Sequence, residues 1–158
     1  FTEMIGRGAR WPWQLSAAQS NYMPGWCNGS AGYVFLWTLA YQLLGSKRYL
    51  ALAEKAAWNA WEVQSRSANL CCGWAGRGYA LLHLYKFTGE QAWLRRAKLA
   101  ANRAVNYIDA SMAETSDGFE NSLYKGEIGV AALVSDLSFP EMAAMPFFES
   151  ERPFPSLG

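Results

Sequence analysis

The sequence predicts an all-α fold built from helical hairpins that repeat along the chain. A cysteine shortly before Gly-x-Ala-Gly occurs twice, as GWCNGSAG from Gly25 and as NLCCGWAG from Asn69. The match continues without a gap at an offset of 44 residues, for example from Gly45 to Gly89. Between the motifs, apolar residues recur at helical spacing and no segment has a convincing strand pattern.

The first repeat, residues 25–68, contains two predicted helices joined by a glycine turn. The helix over 31–44 is apolar almost all round, which predicts burial on most of its sides. The helix over 47–64 has one apolar stripe and therefore packs with a single face inward. This repeat thus predicts an inner and an outer helix.

The second repeat, residues 69–111, follows the same plan, with helices predicted over 75–87 and 90–108. The second of these helices has four basic residues, which we interpret as a solvated outer face instead of a nucleic-acid patch: Arg95, Arg96, Lys98 and Arg103.

The remaining segments are less regular. Residues 112–137 contain a degenerate third repeat, YKGEIGVAALVSDL, preceded by a polar loop over 112–120. Residues 138–158 are rich in Pro and Phe and predict an irregular tail packed on the body, and residues 1–24 predict a lead-in loop. Two and a half hairpins suggest an arc of a closed ring or part of a solenoid.

Composition excludes several functional classes. The 158 residues suit one domain or a piece of one, and the net charge of +1 predicts neither a nucleic-acid partner nor an anionic membrane partner. The apolar runs are too short to span a bilayer, and no secretory signal is visible, although the chain starts at Phe1. Three cysteines, two of them adjacent, make a disulfide framework improbable, so a cytoplasmic location is expected.

All three cysteines lie just before predicted helix starts. If the two repeats pack side by side, Cys27 approaches Cys71 and Cys72, and three thiolates favour a soft metal, for which zinc is the default. Three protein ligands leave a fourth position open, as in catalytic zinc sites. The alternative is that these are small buried residues, since the spacing lacks a C-x-x-C pair. The histidine, His83, lies about 16 Å from Cys72 along the helix axis, which predicts a structural role for it.

GWCNGSAG, NLCCGWAGRGYALL and SLYKGEIGVAAL resemble the last three motifs of the lanthionine synthetase C-like (LanC-like) cyclases. The resemblance covers about residues 25–149 and is greatest to the cyclase region of kinase-fused lanthipeptide synthetases. It implies an α/α toroid with a catalytic Zn²⁺ that activates a precursor-peptide cysteine for Michael addition to dehydroalanine or dehydrobutyrine. Cys27 and Cys71 match two zinc ligands, and Cys72 falls where most members have histidine.

The resemblance also implies what this chain lacks. Family members use an Asp and a His from the first half of the toroid for proton transfer, and the chain is similar only to the C-terminal half. It is therefore expected to be a fragment, or to need a partner: the N-terminal half or fused kinase and lyase domains, with a dehydrated precursor peptide as substrate. By itself it could bind zinc without catalysis. With Cys72 as a third thiolate ligand, the zinc is expected to be a weaker Lewis acid and a bound substrate thiolate to be more nucleophilic.

Four further residues near the motifs have two interpretations each. Asn28 could bond a thiolate or substrate, or hold its loop, and Glu127 could act at the site, or simply favour a helix start. Trp26 and Trp74 could wall a peptide groove or pack in the core.

Alternative functions are a non-catalytic zinc-stapled binding module and a LanC-like protein that adds glutathione to dehydrated proteins. A glycoside-active toroid is least favoured, because its two carboxylates about 5–10 Å apart have no candidates at the paired motif positions.

Overall fold

The computed structural model describes residues 2–15, 20–114 and 121–149, and it confirms a mainly helical fold. Its elements are β1 Glu3–Ile5, β2 Gly8–Arg10, β3 Pro12–Leu15, β4 Ser20–Tyr22, α1 Ser30–Leu44, α2 Lys47–Glu62, α3 Trp74–Thr88, α4 Gln91–Glu114 and α5 Ile128–Asp136. No helix in these ranges is both long enough and apolar enough to cross a membrane.

The helices form two hairpins and the inner helix of a third. α1 pairs with α2 and α3 with α4, while α3 also packs between α1 and α5. The two hairpin turns use glycine in the left-handed region, at Gly45 with φ 69° and at Gly89 with φ 74°, where a side chain would be strained. Their amides donate to Tyr41 and Tyr85, which are equivalent residues of the two repeats.

The helix bounds differ from the predicted ones by a few residues. The largest difference is at α4, which continues to Glu114, so the polar loop predicted from Met112 begins later than expected. Residues 115–120 of that loop lie outside the described residues. In the described part of the predicted tail, Ala143 and Met145 are buried, whereas Phe139, Met142 and Phe147 are exposed. Residues 150–158 lie outside the described residues.

The prediction of no strands was wrong for the lead-in segment. β1 pairs with β2 and β3 with β4, each as a two-stranded antiparallel sheet. These strands have three or four residues, too few for a period-two pattern to be recognised. Tertiary contacts hold them instead: the Trp11 ring stacks on Tyr33 at 4.5 Å, and the Arg7 guanidinium lies 3.7 Å from the centre of the Trp58 ring.

A second correction concerns the basic residues of α4. Arg95 and Lys98 are exposed, as predicted. Arg96 and Arg103 are half-buried, because their guanidinium groups stack on Trp58 at 4.2 Å and on Trp61 at 4.0 Å. These two side chains therefore cover the tryptophans of the outer helices, and only part of the cluster is a solvated face.

Candidate metal centre

The motif turns before α1, α3 and α5 are joined by backbone hydrogen bonds at equivalent positions. The amides of Trp26 and Cys27 donate to the Cys71 carbonyl at 3.0 and 3.2 Å, and the Cys71 amide donates to the Tyr124 carbonyl at 2.9 Å. Gly25 permits this approach, because a Cβ there would lie 2.7 Å from the Cys72 Cα. The three turns therefore stack at the same end of the inner helices, and Cys71 is the central link.

A glycine in the first turn of each inner helix seats the motif turn that precedes it. A Cβ at Gly32, Gly76 or Gly129 would lie 2.3, 1.9 and 2.3 Å from the carbonyl oxygens of the equivalent residues Trp26, Leu70 and Leu123. Side chains cannot occupy this space, since real Cβ contacts are essentially never under 3.0 Å. The third repeat, although degenerate in its cysteines, keeps the same helix-start geometry.

The stacked turns bring the three cysteines together as free thiols. The Cys27 sulfur lies 3.0 Å from that of Cys71 and 3.4 Å from that of Cys72, and the adjacent pair is 3.5 Å apart. Cys27 is exposed and the other two are half-buried. Because Cys27 comes from one repeat and the pair from the next, the cluster forms only when the two repeats pack.

The environment of the cluster opposes ionisation of two of its thiols, those of Cys27 and Cys72. Burial raises the pKa of Cys27 to about 12, and the neighbouring Cys71 and Cys72 sulfurs add to the effect. Burial also raises the pKa of Cys72, while its hydrogen bond with Cys27 and the Lys125 ammonium act in the opposite direction. Without a cation between the sulfurs, Cys27 and Cys72 are therefore neutral thiols near pH 7.

An apolar groove of about 520 Å³ opens beside Cys27. Its walls come from β3, from the Trp26 turn, from the Tyr33 side of α1 and from Phe148 of the tail. Asn28 lies at the same groove and is exposed. Of the sequence-predicted candidates, Trp26 and Asn28 are thus at the groove, next to the cysteine cluster.

Trp74 and Glu127 lie elsewhere. Trp74 is only 3% exposed and packs in the core between the guanidinium groups of Arg77 and Arg103, each 4.5 Å from the centre of its ring. Glu127 precedes α5, makes no side-chain cap bond, and lines a separate apolar groove between α4 and α5 with Ile108.

His83 lies away from the cysteines, among contacts of its own. Its Nε2 is 2.8 Å from the Thr38 hydroxyl and its Nδ1 is 2.7 Å from the Glu149 carboxylate.

Sequence reasoning missed two residues connected with the site, Phe148 and Glu149. Their signal was the MPFFE stretch of the tail, which has no periodicity to show where each side chain points.

Comparison with known proteins assigns the chain to a family. Residues 4–150 match the family described as Lanthionine synthetase C-like protein. The chain belongs to the LanC-like family. It is 30% identical over 148 residues to "Glutathione S-transferase LANCL1" of Danio rerio, covering 86% of this chain and 36% of that protein. It is also 30% identical over 133 residues to "LanC-like protein GCL1" of Arabidopsis thaliana, covering 78% of this chain and 30% of that protein.

The LanC-like family is an α/α toroid, and the described hairpins are part of such a fold. The chain spans about a third of the length of the relatives it matches.

The donor set of the LanC-like chain fits a soft metal ion. The three sulfurs lie within 4.8 Å of one another, and thiolates are the ligands that zinc and similar ions prefer. Sulfurs around a tetrahedral zinc are about 3.8 Å apart, so two of the observed separations need to grow by about 0.4 Å or less and the Cys27–Cys71 separation by about 0.8 Å. The exposure of Cys27 leaves the cluster accessible from the groove.

Proposed function

We propose that the chain forms the zinc-binding part of an enzyme that adds a thiol to an activated alkene, as a lanthionine cyclase does. The observation that carries this proposal is the convergence of three thiols beside an open apolar groove. In the reaction, a carbon–sulfur bond forms, the alkene π bond of dehydroalanine or dehydrobutyrine breaks, and the thiol proton ends on the α-carbon. The step needs no oxidant or reductant.

Cys27, Cys71 and Cys72 would hold the zinc. When bound, the ion supplies positive charge that stabilises a substrate thiolate near neutral pH. The raised pKa values of Cys27 and Cys72 are consistent with a site made for a cation, because burial of these sulfurs disfavours a thiolate that no positive charge compensates. The groove beside Cys27 would admit the substrate, and a peptide bound there would cover the exposed Cys27 side of the cluster.

Proton delivery to the product carbon is proposed to need a partner. LanC-like cyclases use an Asp and a His from the first half of the toroid, and this chain spans only about a third of the length of the relatives it matches. His83 does not replace that histidine, since it is engaged by Thr38 and Glu149. The partner is proposed to be the N-terminal half of the toroid, or kinase and lyase domains fused to it, with a dehydrated precursor peptide as substrate.

Addition of glutathione is a second candidate, and the printed name of the Danio rerio relative favours it. Both candidates use the same metal site and form the same bond; they differ in whether the thiol belongs to a peptide cysteine or to glutathione. The full-length protein distinguishes them when it is given a dehydrated peptide with and without glutathione. Ring closure without added mass supports the cyclase, and a glutathione adduct supports the second candidate.

The first experiment is the metal content of the purified chain by elemental mass spectrometry. We expect about one zinc per chain, lost in Cys71→Ala and kept in Asn28→Ala, a control without a sulfur in the neighbouring motif turn. The chain is then loaded with Co²⁺ and titrated with a simple thiol. A new thiolate charge-transfer band supports thiol activation. Metal without thiol binding would favour the zinc-stapled binding module, and no metal in the purified chain would contradict the proposal.

A further inference from the structure

The segment 143–149, here called the C-terminal strap, forms one wall of the groove beside Cys27. Phe148 lines the groove, with its ring edge-on to Trp26 at 4.9 Å and to Phe35 at 5.1 Å. Its side chain remains partly open, with the residue 47% exposed. Phe148 is thus supported from behind by α1 and the motif turn, and it presents its free face to the groove.

Glu149 anchors this strap through a half-buried carboxylate. The carboxylate lies 2.7 Å from Nδ1 of His83, accepts a hydrogen bond from the Met145 amide at 2.7 Å, and lies 3.3 Å from the Lys86 ammonium. Burial opposes ionisation of Glu149, but His83, the Met145 amide and the Lys86 ammonium together outweigh it and hold the pKa below its usual value. His83 of α3 in turn contacts Thr38 of α1, so the anchor joins the strap to these two inner helices.

Further contacts set the course of the strap. The Tyr124 hydroxyl donates to the Pro146 carbonyl at 2.6 Å, and Lys86 donates to the Ala143 carbonyl. Between Pro146 and the Glu149 anchor, Phe147 has φ 58°, a left-handed conformation that is rare for an aromatic residue. The bend leaves Phe147 94% exposed and turns Phe148 inward. The anchors therefore maintain a backbone shape that an isolated chain would not favour.

We propose that Phe148 determines substrate specificity by contacting the residue next to the reactive cysteine, and that Glu149 and His83 are its positioning residues. This inference rests on the proposed function, because the groove begins at Cys27 and its occupant is the peptide whose thiol reaches the cluster. The described lining contains aromatic and aliphatic side chains and Asn28, with no charged residue. The preferred substrate therefore has an apolar or aromatic side chain beside its cysteine, and a charged neighbour is disfavoured.

The first test needs no metal. The metal-free chain is alkylated with N-ethylmaleimide and, separately, with the bulkier fluorescein maleimide, and modification of each cysteine is followed by peptide mass spectrometry. In Phe148→Ala, and to a smaller extent in Glu149→Gln, we expect the bulky reagent to modify Cys27 at least threefold faster, with the small reagent unchanged. Loss of structure alone would expose all three cysteines to both reagents.

Glu141→Gln is the matched control for the anchor. Glu141 is also a tail carboxylate that accepts a hydrogen bond from α3, from the Tyr85 hydroxyl, but it does not touch the groove. We expect its reagent ratio at Cys27 to equal that of the unchanged chain. An unaltered ratio in Phe148→Ala would overturn the inference, whatever the metal site does.

The second test measures the preference itself. The Co²⁺-loaded chain is titrated with N-acetyl-Cys-Phe-amide and N-acetyl-Cys-Asp-amide, and the thiolate charge-transfer band reports binding. We expect at least fivefold tighter binding of the phenylalanine peptide, lost in Phe148→Ala at unchanged Co²⁺ affinity. Equal affinities for the two peptides would overturn the inference. A groove that receives another helical hairpin of the toroid would give this result, because it would not distinguish the two peptides. If no thiol reaches the metal, the proposed function fails, and the alkylation ratio still decides the role of Phe148.

Discussion

Gly76→Ala tests whether the helix-start glycines hold the cysteine cluster together. In most exposed helix positions this change stabilises a protein, because alanine favours the helix by about 1 kcal/mol over glycine. At Gly76 the new Cβ would lie 1.9 Å from the carbonyl oxygen of Leu70, a backbone atom directly before Cys71. The substitution therefore acts on the metal centre through the chain that leads to it.

The magnitude follows from the size of the overlap. To reach even the 3.0 Å limit of real contacts, the Leu70 carbonyl must withdraw by about 1 Å, and Leu70 is fully buried. Overpacking of this kind costs about 3 kcal/mol, which outweighs the helix gain and predicts a net loss of about 2 kcal/mol. Because Cys71 follows Leu70, we also expect weaker metal binding.

The assay is urea unfolding followed by helical circular dichroism, together with metal content. Gly78→Ala is the matched control on the same helix, because its Cβ would meet the flexible Cδ2 end of Leu133 at 2.5 Å instead of backbone. We expect the control to stay within about 1 kcal/mol of the unchanged chain and to keep its metal. A Gly76→Ala chain as stable as the control, with full metal content, would refute the reasoning.

Three more results are expected. Metal affinity should rise at least 100-fold per pH unit near pH 7, measured by competition with a chelator. The pKa values of Cys27 and Cys72 are raised, so metal binding displaces at least their two protons, and a flat profile would exclude them as ligands. Glu149→Gln should lower the free energy of unfolding by about 2 kcal/mol at pH 7. Because the pKa of Glu149 is lowered in the folded state, this difference should vanish as the pH falls through that pKa, and a pH-independent difference in urea midpoints would contradict the ionised anchor. Arg77→Met should destabilise by about 2 kcal/mol in thermal melts, since the Ala60 and Val63 carbonyls lose the donor from this buried guanidinium; an unchanged midpoint would show that water replaces it.

Much of the site could be predicted because it repeats in the sequence. The constant offset between Cys27 and Cys71 predicted their approach, since equivalent residues of neighbouring repeats meet when the repeats stack. The same argument also locates other contacts. Ser30 donates to the Asn59 amide oxygen at 2.7 Å, and the equivalent pair of the second repeat, Trp74 and Arg103, is also in contact.

The chemistry of such a pair does not follow from the repeat. Trp74 and Arg103 stack where the first repeat has a hydrogen bond, so Trp74 lies in the core instead of walling the groove. The strands of the lead-in segment could not be predicted from the sequence pattern either. Three-residue strands have too little pattern of their own and form because neighbouring helices present aromatic rings to them.

The sequence by itself determined the helical hairpins and the meeting of three cysteines, because helix periodicity and a constant repeat are local properties of the chain. Only the tertiary structure decided what surrounds those cysteines. Phe148 reaches the groove because its neighbours Pro146 and Glu149 are held by residues far away in the sequence, namely Tyr124, His83 and Lys86. An irregular segment has no period that relates its residues to a face, so its side chains are directed by whichever distant partners they meet.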